Sequence, residues 1–441
     1  MEATLQDILE ARERRAARQQ QLLGAYGRTL VCFTMNIAGP EKYSPLIAEG
    51  FRLGCERLTA QLAQFPILYS QRLPRHTGCE AFFVVDADPD TVKKRTVAIE
   101  EADDLGRLFD MDVFRPDGTR LERERERRCL LCGESAKVCG RSRAHSVQAL
   151  QEATGAILTR AVFADRSRFV GEMAAKALLY EVGTTPKPGL VDRENSGSHR
   201  DMDIFTFMAS TAALQPYFTS CALAGMETAR LSPEVTFEKL RFLGRDAEQT
   251  MVRATHGVNT HKGAIFTMGV LCGAVGRLWA EESPTPAQLL DAAASLCKGL
   301  TARDFAGITE ENAKTAGQKL YARHGITGIR GQAEQGFPAV RYTGLPVLRE
   351  GLGRGLSLER AGCAALLAML TAANDTNLIA RSDRETARGI CREVALLLSK
   401  NRYPDGETLR ALDDLFTGQN LSPGGTADLL AATYFLHFYC D

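Results

Sequence analysis

The chain has 441 residues, with 54 Lys and Arg balanced by 54 Asp and Glu, and 12 Cys; 44% of it is hydrophobic and 24% charged. Zero formal net charge excludes attachment to nucleic acid or to an anionic membrane by bulk charge, and the apolar fraction excludes a disordered chain. No apolar run reaches the ~20 residues that span a bilayer, because Arg277 interrupts residues 264–280 and His437 interrupts residues 429–439.

The charged N-terminus, residues 1–18, lacks the apolar region of a signal peptide, so a cytoplasmic protein is expected. Nine cysteines are scattered singly, several in apolar runs, and read as free packing thiols of a reducing compartment. Length alone suggests about three domains, yet the pattern changes only once along the chain. Residues 29–37 (TLVCFTMNI) predict a strand that ends at Gly39-Pro40. Ser44-Pro45 supplies an N-cap and a first-turn proline, and Leu46, Ile47, Phe51, Leu58 and Leu62 follow at helical spacing. Residues 79–86 predict a second strand, 91–104 a helix and 107–114 a third strand, followed by the turn Pro116-Asp117-Gly118. The Arg/Glu run at 121–128 reads as a solvated charged edge. Residues 1–150 therefore predict an α+β domain with a small sheet. A partly helical junction at 148–166 leads into residues 160–441, where helices are predicted at 201–230, 261–281, 286–300, 358–373 and 427–439 and no alternating strand is found. The expected fold is multidomain: an N-terminal α+β domain and a C-terminal all-α domain.

Strand alternation within 107–113 places Asp110 and Asp112 on one face and Phe109, Met111 and Val113 on the other. Two such carboxylates suit a divalent metal beside phosphates; they also suit a strand face turned to water. Lys42 precedes a helix N-terminus, where a phosphate can sit. Cys129, Cys132, Cys139 and His145 offer three thiolates and an imidazole for structural Zn²⁺, at a spacing that is not a standard one, or else are free thiols. Arg141 and Arg143 between them form a basic cluster suited to phosphate. The stretches NIAGPEKYSPLI, TGCEAFFVVDADP, GRLFDMDV and RCLLCGESAKVCGRSRAHS, in this order, resemble the holo-acyl-carrier-protein synthase of citrate lyase, a phosphoribosyl-dephospho-CoA transferase. The resemblance covers roughly residues 10–150. It implies transfer of a phosphoribosyl-dephospho-CoA group to a serine of the apo acyl carrier protein, with loss of pyrophosphate. Asp110 and Asp112 would hold Mg²⁺, and Arg107, Arg141 and Arg143 would grip phosphates. Cys79 departs from the family pattern, which has proline there.

The second half carries its polar motifs at helix ends. Glu181-Val-Gly-Thr-Thr185-Pro-Lys187-Pro-Gly-Leu-Val-Asp192 is a loop stiffened by two prolines, with a lysine and hydroxyls suited to phosphate. Asp201 and Asp203 open a long helix, with Asp201 the expected N-cap. Asn259, His261 and Lys262 precede another helix, where Lys262 and free amides form an anion site and His261 is either polar support or an acid–base group. Arg330 and Glu334 lie in a glycine-punctuated stretch. Asn374-Asp375-Thr376-Asn377 and Arg381 interrupt apolar helices and need polar partners. EVGTTPKPGLVDRENSGSHRDMD, GVNTHKG, GIRGQAEQGFP and NDTNLIAR resemble the triphosphoribosyl-dephospho-CoA synthase family over roughly residues 166–440. The resemblance implies that ATP and 3′-dephospho-CoA react, adenine leaves, and the triphosphoribosyl group moves to the ribose 2′-hydroxyl. Lys187, Lys262, Arg330 and Arg381 would face the triphosphate with Mg²⁺, and Glu181, Asp201, Asp203 and His261 are the candidates for base and acid. Thr185, Asp192, Asn259 and Glu334 are further candidates for substrate contacts. Asp375 is a candidate Mg²⁺ ligand, because its cluster resembles the Asp-Thr-Asp motif of ADP-ribosyl glycohydrolases.

The two resemblances together predict a bifunctional enzyme that builds the citrate lyase prosthetic group and attaches it to the apo acyl carrier protein. No nucleic acid or membrane partner is expected. The alternatives are a ribosyl hydrolase with an appended nucleotide-binding module, and a zinc-stabilised module that docks the carrier.

Overall fold

A computed structural model describes residues 2–441, which divide between Asp165 and Arg166 into two compact units. The first unit opens with α1, Leu5–Tyr26, started by a Thr4–Asp7 capping box and ended by Gly27 at a φ of 58°. Its four strands are β1 (Thr29–Met35), β2 (Ile67–Leu73), β3 (Glu80–Val85) and β4 (Phe109–Phe114). They form one antiparallel sheet in the order β2-β3-β1-β4. Helix α2 (Pro45–Leu62) begins as the sequence predicts, with the Ser44 cap and a first-turn proline, whereas α3 (Pro89–Glu101) starts two residues before the expected 91, at an Asp88 cap and Pro89.

Both faces of the sheet are covered, which explains the unbroken apolar character of β1 and β3. Phe33, Phe83, Phe109, Met111 and Val113 share one core with Phe51 and Leu58 of α2 and Val92 of α3. On the opposite face Leu30, Cys32, Phe82 and Val84 meet Leu22 and Leu23 of α1. Neither α1 nor β2 stands out in sequence. Only Ala11, Leu22 and Leu23 of α1 are buried, and the exposed and half-buried positions of β2 alternate without an apolar stripe. A short helix, α4 (Ala136–Ser142), buries nothing. In α5 (Val147–Gly183), Leu158 and Val162 belong to the first unit's core, and the boundary between units falls inside this helix.

The second unit is helical throughout its described elements. Helices α6 (Ile204–Glu227), α7 (Pro233–Ala254) and α8 (Lys262–Arg277) form one side of its core. α6 and α8 meet through small residues: a Cβ at Gly225 would lie 2.2 Å from the Gly273 carbonyl oxygen, and one at Gly276 would lie 2.1 Å from that of Ala222. From Thr267 to Gly276 every residue of α8 is buried, so its apolar run is core. No described helix is long and apolar enough to cross a membrane. The predicted helix at 201–230 starts three residues later, and Asp203 rather than Asp201 caps it, in a reciprocal box with Thr206. All 12 cysteines are free, and Cys79 is buried in the sheet core.

Candidate functional site

A cavity of about 440 Å³ in the second unit gathers polar residues from motifs far apart in sequence. Its lining includes Glu181, Lys187, Asp201, Asn259, His261, Lys262, Asp375 and Arg381. The loop after α5 builds one wall. Asp192 accepts the backbone N–H groups of Lys187, Glu194 and Asn195 at 2.8, 2.7 and 3.1 Å, and Asp413 accepts Gly189 N–H at 2.8 Å and Asn195 Nδ2 at 2.7 Å. The Thr185–Pro186 peptide is cis, and Thr185 Oγ1 accepts Arg193 N–H at 3.2 Å. Thr185 and Asp192 therefore shape the loop and do not line the cavity. The loop delivers Lys187, 1% exposed, to Glu181, with which it forms a buried ion pair. Burial pushes the Glu181 carboxyl up while Lys187 pulls it down.

His261 stands at the start of α8. Its Nδ1 lies 2.7 Å from Ser210 Oγ, which in turn accepts from Thr260 Oγ1 at 2.8 Å. Its Nε2 is buried with no hydrogen-bond partner. Burial, reinforced by Lys187, drives the imidazole down to about 3, so it is neutral near pH 7. Of the two roles the sequence offers His261, polar support and acid–base group, a neutral ring keeps one N–H to donate and one nitrogen to accept. Lys262 pairs with Glu248 at 3.0 Å and remains half exposed. Arg381 donates to Ser198 O and to Asn420 Oδ1 and lies 3.2 Å from His199 Nδ1.

Asp375 is saturated. One oxygen accepts Asn377 N–H and Leu378 N–H, both at 2.9 Å, and the other accepts Thr426 N–H and Oγ1, both at 2.7 Å. It caps the helix Thr376–Arg381 and clasps it to the start of the last helix, Gly424–Cys440. Four hydrogen bonds leave it little capacity for a metal, which corrects the Mg²⁺ assignment. The unassigned carboxylate is Asp428, one helical turn into that last helix. It lines the cavity and has no hydrogen-bond or ion-pair partner among the described residues. Burial, then Glu181 and Asp375, push its carboxyl well above the usual range. A Cβ on Gly263 would lie 1.9 Å from Asp428 Oδ2, so glycine there makes room for the carboxylate. The sequence predicts an apolar helix from 427, and the local signal for a site is Pro423-Gly424-Gly425-Thr426-Ala427-Asp428, a glycine-rich helix start that carries a carboxylate.

Three other expected residues are occupied elsewhere. Asp203 is a helix cap. Arg330 pairs with Asp304 at 2.7 Å. Glu334 accepts Gly299 N–H at 2.8 Å and Thr301 N–H at 3.2 Å, which ties down the turn before the short helix Leu300–Asp304. None of the three lines the cavity.

In the first unit Asp110 and Asp112 share one face of β4, as alternation predicts, while Phe109, Met111 and Val113 are buried. Most of the Arg/Glu run at 121–128 is exposed, but Arg123 and Arg127 turn in towards the buried Glu100. Arg120 lies 3.6 Å from Asp112, and Arg127 bridges Asp110 at 2.9 Å and the buried Glu100 at 2.7 Å. Glu100 also accepts Met111 N–H at 2.7 Å and lies 3.2 Å from Arg123. Burial and then the neighbouring Asp110 push the Asp112 carboxyl up. Two adjacent carboxylates, one resisting ionisation, are a donor set that a divalent cation relieves. Arg107 donates to Cys129 O at 2.8 Å, and Lys42 donates to Ile37 O at 2.5 Å, so each is tied to its own neighbourhood. Arg141 and Arg143 are exposed near α4. The ligand atoms of Cys129, Cys132, Cys139 and His145 all lie within 4.8 Å of one another.

A family model for the ATP:dephospho-CoA triphosphoribosyl transferases matches residues 167–440, and one for the apo-citrate lyase phosphoribosyl-dephospho-CoA transferases matches residues 3–161. The chain belongs to both families. It is 38% identical to Protein CitXG of Haemophilus influenzae, over 99% of this chain and 96% of that protein. Protein CitXG of Leuconostoc mesenteroides subsp. cremoris is 32% identical, over 98% of this chain and 96% of its own length. A probable 2-(5''-triphosphoribosyl)-3'-dephosphocoenzyme-A synthase of Citrobacter koseri is 43% identical, over 60% of this chain and 88% of its own. The chain is thus a transferase of citrate lyase prosthetic group biosynthesis, with one family in each compact unit.

Proposed function

We propose that the second unit joins ATP to 3′-dephospho-CoA with release of adenine, and that the first unit transfers the product to a serine of the apo acyl carrier protein with release of pyrophosphate. The observation that carries the reading is the cavity that unites Lys187, Glu181, His261, Asp428 and Arg381. In the first reaction the 2′-oxygen of dephospho-CoA bonds to C1′ of the ATP ribose as the bond from C1′ to adenine breaks. The state between is oxocarbenium-like, and carboxylates stabilise it. Asp428, free of partners and with a raised pKa, takes the 2′-hydroxyl proton. The neutral His261, oriented by Ser210, donates an N–H hydrogen bond to the departing base, and the proton that Asp428 takes from the 2′-hydroxyl balances the one the released adenine acquires. Lys187, Lys262 and Arg381 meet the triphosphate, with Asn259 beside them.

In the second reaction the carrier serine oxygen attacks the α-phosphorus and pyrophosphate leaves. Asp110 and Asp112 are the residues that would hold Mg²⁺, which when bound neutralises charge on the phosphates being displaced. Arg120 and Arg127 orient the two carboxylates, and Arg141 and Arg143 are the exposed cations open to phosphate.

The test supplies the full chain with ATP, dephospho-CoA, Mg²⁺ and apo carrier protein. Adenine should appear only when dephospho-CoA is present, and the carrier should gain the mass of the prosthetic group. Adenine release without dephospho-CoA would mark a ribosyl hydrolase, and an unmodified carrier would remove the transfer role.

A further inference from the structure

We infer that Cys129, Cys132, Cys139 and His145 form a structural zinc site, and that it fixes the arginines which hold the β4 carboxylates. Leu121 and Leu130 pack against the sheet core and Arg123 and Arg127 reach Glu100 and Asp110, but beyond them the segment from 131 to 146 has little else to order it. α4 buries no side chain, and Leu131 and Val138 are exposed. A 16-residue stretch, 131–146, without a buried side chain needs another source of order, and metal ligation is one.

The backbone is arranged around the sulfurs. Arg128 and Ser135 form an antiparallel bridge, Cys129 N–H donates to Glu134 O at 2.6 Å, and Gly133 turns the chain at a φ of 75°. This tight turn brings Cys129 and Cys132 together. The long gap from Cys139 to His145, which made the spacing unusual, is taken up by the end of α4. There Arg143 adopts a left-handed φ of 49° and Ala144 N–H returns to Cys139 O at 3.2 Å. The reversal places His145 Nε2 3.3 Å from Cys132 Sγ, while Cys132 Sγ lies 3.4 Å from Cys139 Sγ. A tetrahedral zinc with bonds of about 2.3 Å to sulfur and about 2.0 Å to nitrogen requires ligand–ligand separations of about 3.5–3.8 Å. Small shifts of side chains already within 4.8 Å reach that geometry. Binding displaces the three thiol protons, and neutral His145 completes a site of net charge −1 beside Arg127, Arg128, Arg141 and Arg143.

The site's surroundings connect it to β4. Arg107 donates to the carbonyl of Cys129, and Arg127 O accepts Ala136 N–H at 2.9 Å within the same turn. Arg127 then reaches Phe109 O, Glu100 and Asp110. Zinc thus acts at a distance, as a positioning element. This consequence for transfer rests on the proposed role of Asp110 and Asp112; the metal site itself does not.

The experiment uses the full chain purified without added metal. Elemental analysis should find about one zinc per chain, and cobalt substitution should give the thiolate charge-transfer and visible bands of a tetrahedral site. Cys132→Ser and His145→Ala should each weaken metal binding by more than the about 10–100-fold that loss of a residue merely supporting a ligand costs, and His145→Cys should retain it. In the two metal-poor variants carrier modification should fall while adenine release stays unchanged, which also shows that the second unit is folded. Absence of stoichiometric zinc from reduced protein, a Cys132–Cys139 disulfide in its place, or full zinc retention in both variants would overturn the site. Zinc loss with undiminished carrier modification would overturn only its link to β4.

Discussion

The two units hold their carboxylates in opposite ways. On β4, Asp110 and Asp112 lie on a half-open sheet face, and arginines from the following segment come to them. In the second unit the charged groups sit inside the fold, Lys187 is almost wholly buried against Glu181, and Asp428 faces the cavity without a partner. The β4 cluster is partly desolvated and depends on the segment that covers it, whereas the cavity's charges are fixed by packing on all sides and are costlier to disturb. Substitutions should therefore separate the two reactions, and should affect stability mainly in the second unit.

The largest expected effect is that of Lys187→Ala, which abolishes adenine release and leaves transfer of premade donor intact. It also strands Glu181, at a cost of about 3–5 kcal/mol of stability. Adding Glu181→Gln should recover the melting temperature without recovering adenine release. Equal loss of both reactions in the folded double variant would break the division between units. Asp428→Asn comes next, with adenine release down by about 10²–10⁴-fold in steady-state assays and transfer of premade donor unaffected. Asp112→Ala should do the reverse, lowering carrier modification by about 10²–10³-fold while adenine release persists.

The smallest effect sharpens the contrast through pH. His261 is driven from 6.5 to about 3 in the folded state. The folded protein disfavours the protonated form, so stability is intact above pH 6.5 and falls as pH drops towards 3. The loss should reach about 3 kcal/mol by pH 4.5. Calorimetric melts over this range should show the slope in the second unit's transition, and His261→Asn should flatten it. An unchanged slope in that variant would place the acid sensitivity elsewhere.

Much of the first unit was legible because its signals are local. Ser44-Pro45 starts α2, and alternation along β4 places Asp110 and Asp112 together. α1 and β2 escaped because each is mostly polar and gains its place from a sheet assembled by distant strands. In the second unit the sequence supplied the residue types of the cavity but not the choice among them. Asp201, Asp203, Asp375 and Asp428 are all aspartates at or near helix starts, and only their partners tell a cap, a clasp and a free carboxylate apart.

By itself, then, the sequence determined the two kinds of domain, the pair of transferase families and the chemical classes of their motifs, since periodicity, capping and motif order are properties of neighbouring residues. Tertiary structure alone decided which charges remain available. Thr426 saturates Asp375 from 51 residues away, Gly263 leaves space for Asp428 from another helix, and Asp304 occupies Arg330. A polar side chain's capacity to bind substrate is what its folded partners leave unsatisfied, and those partners are chosen by packing.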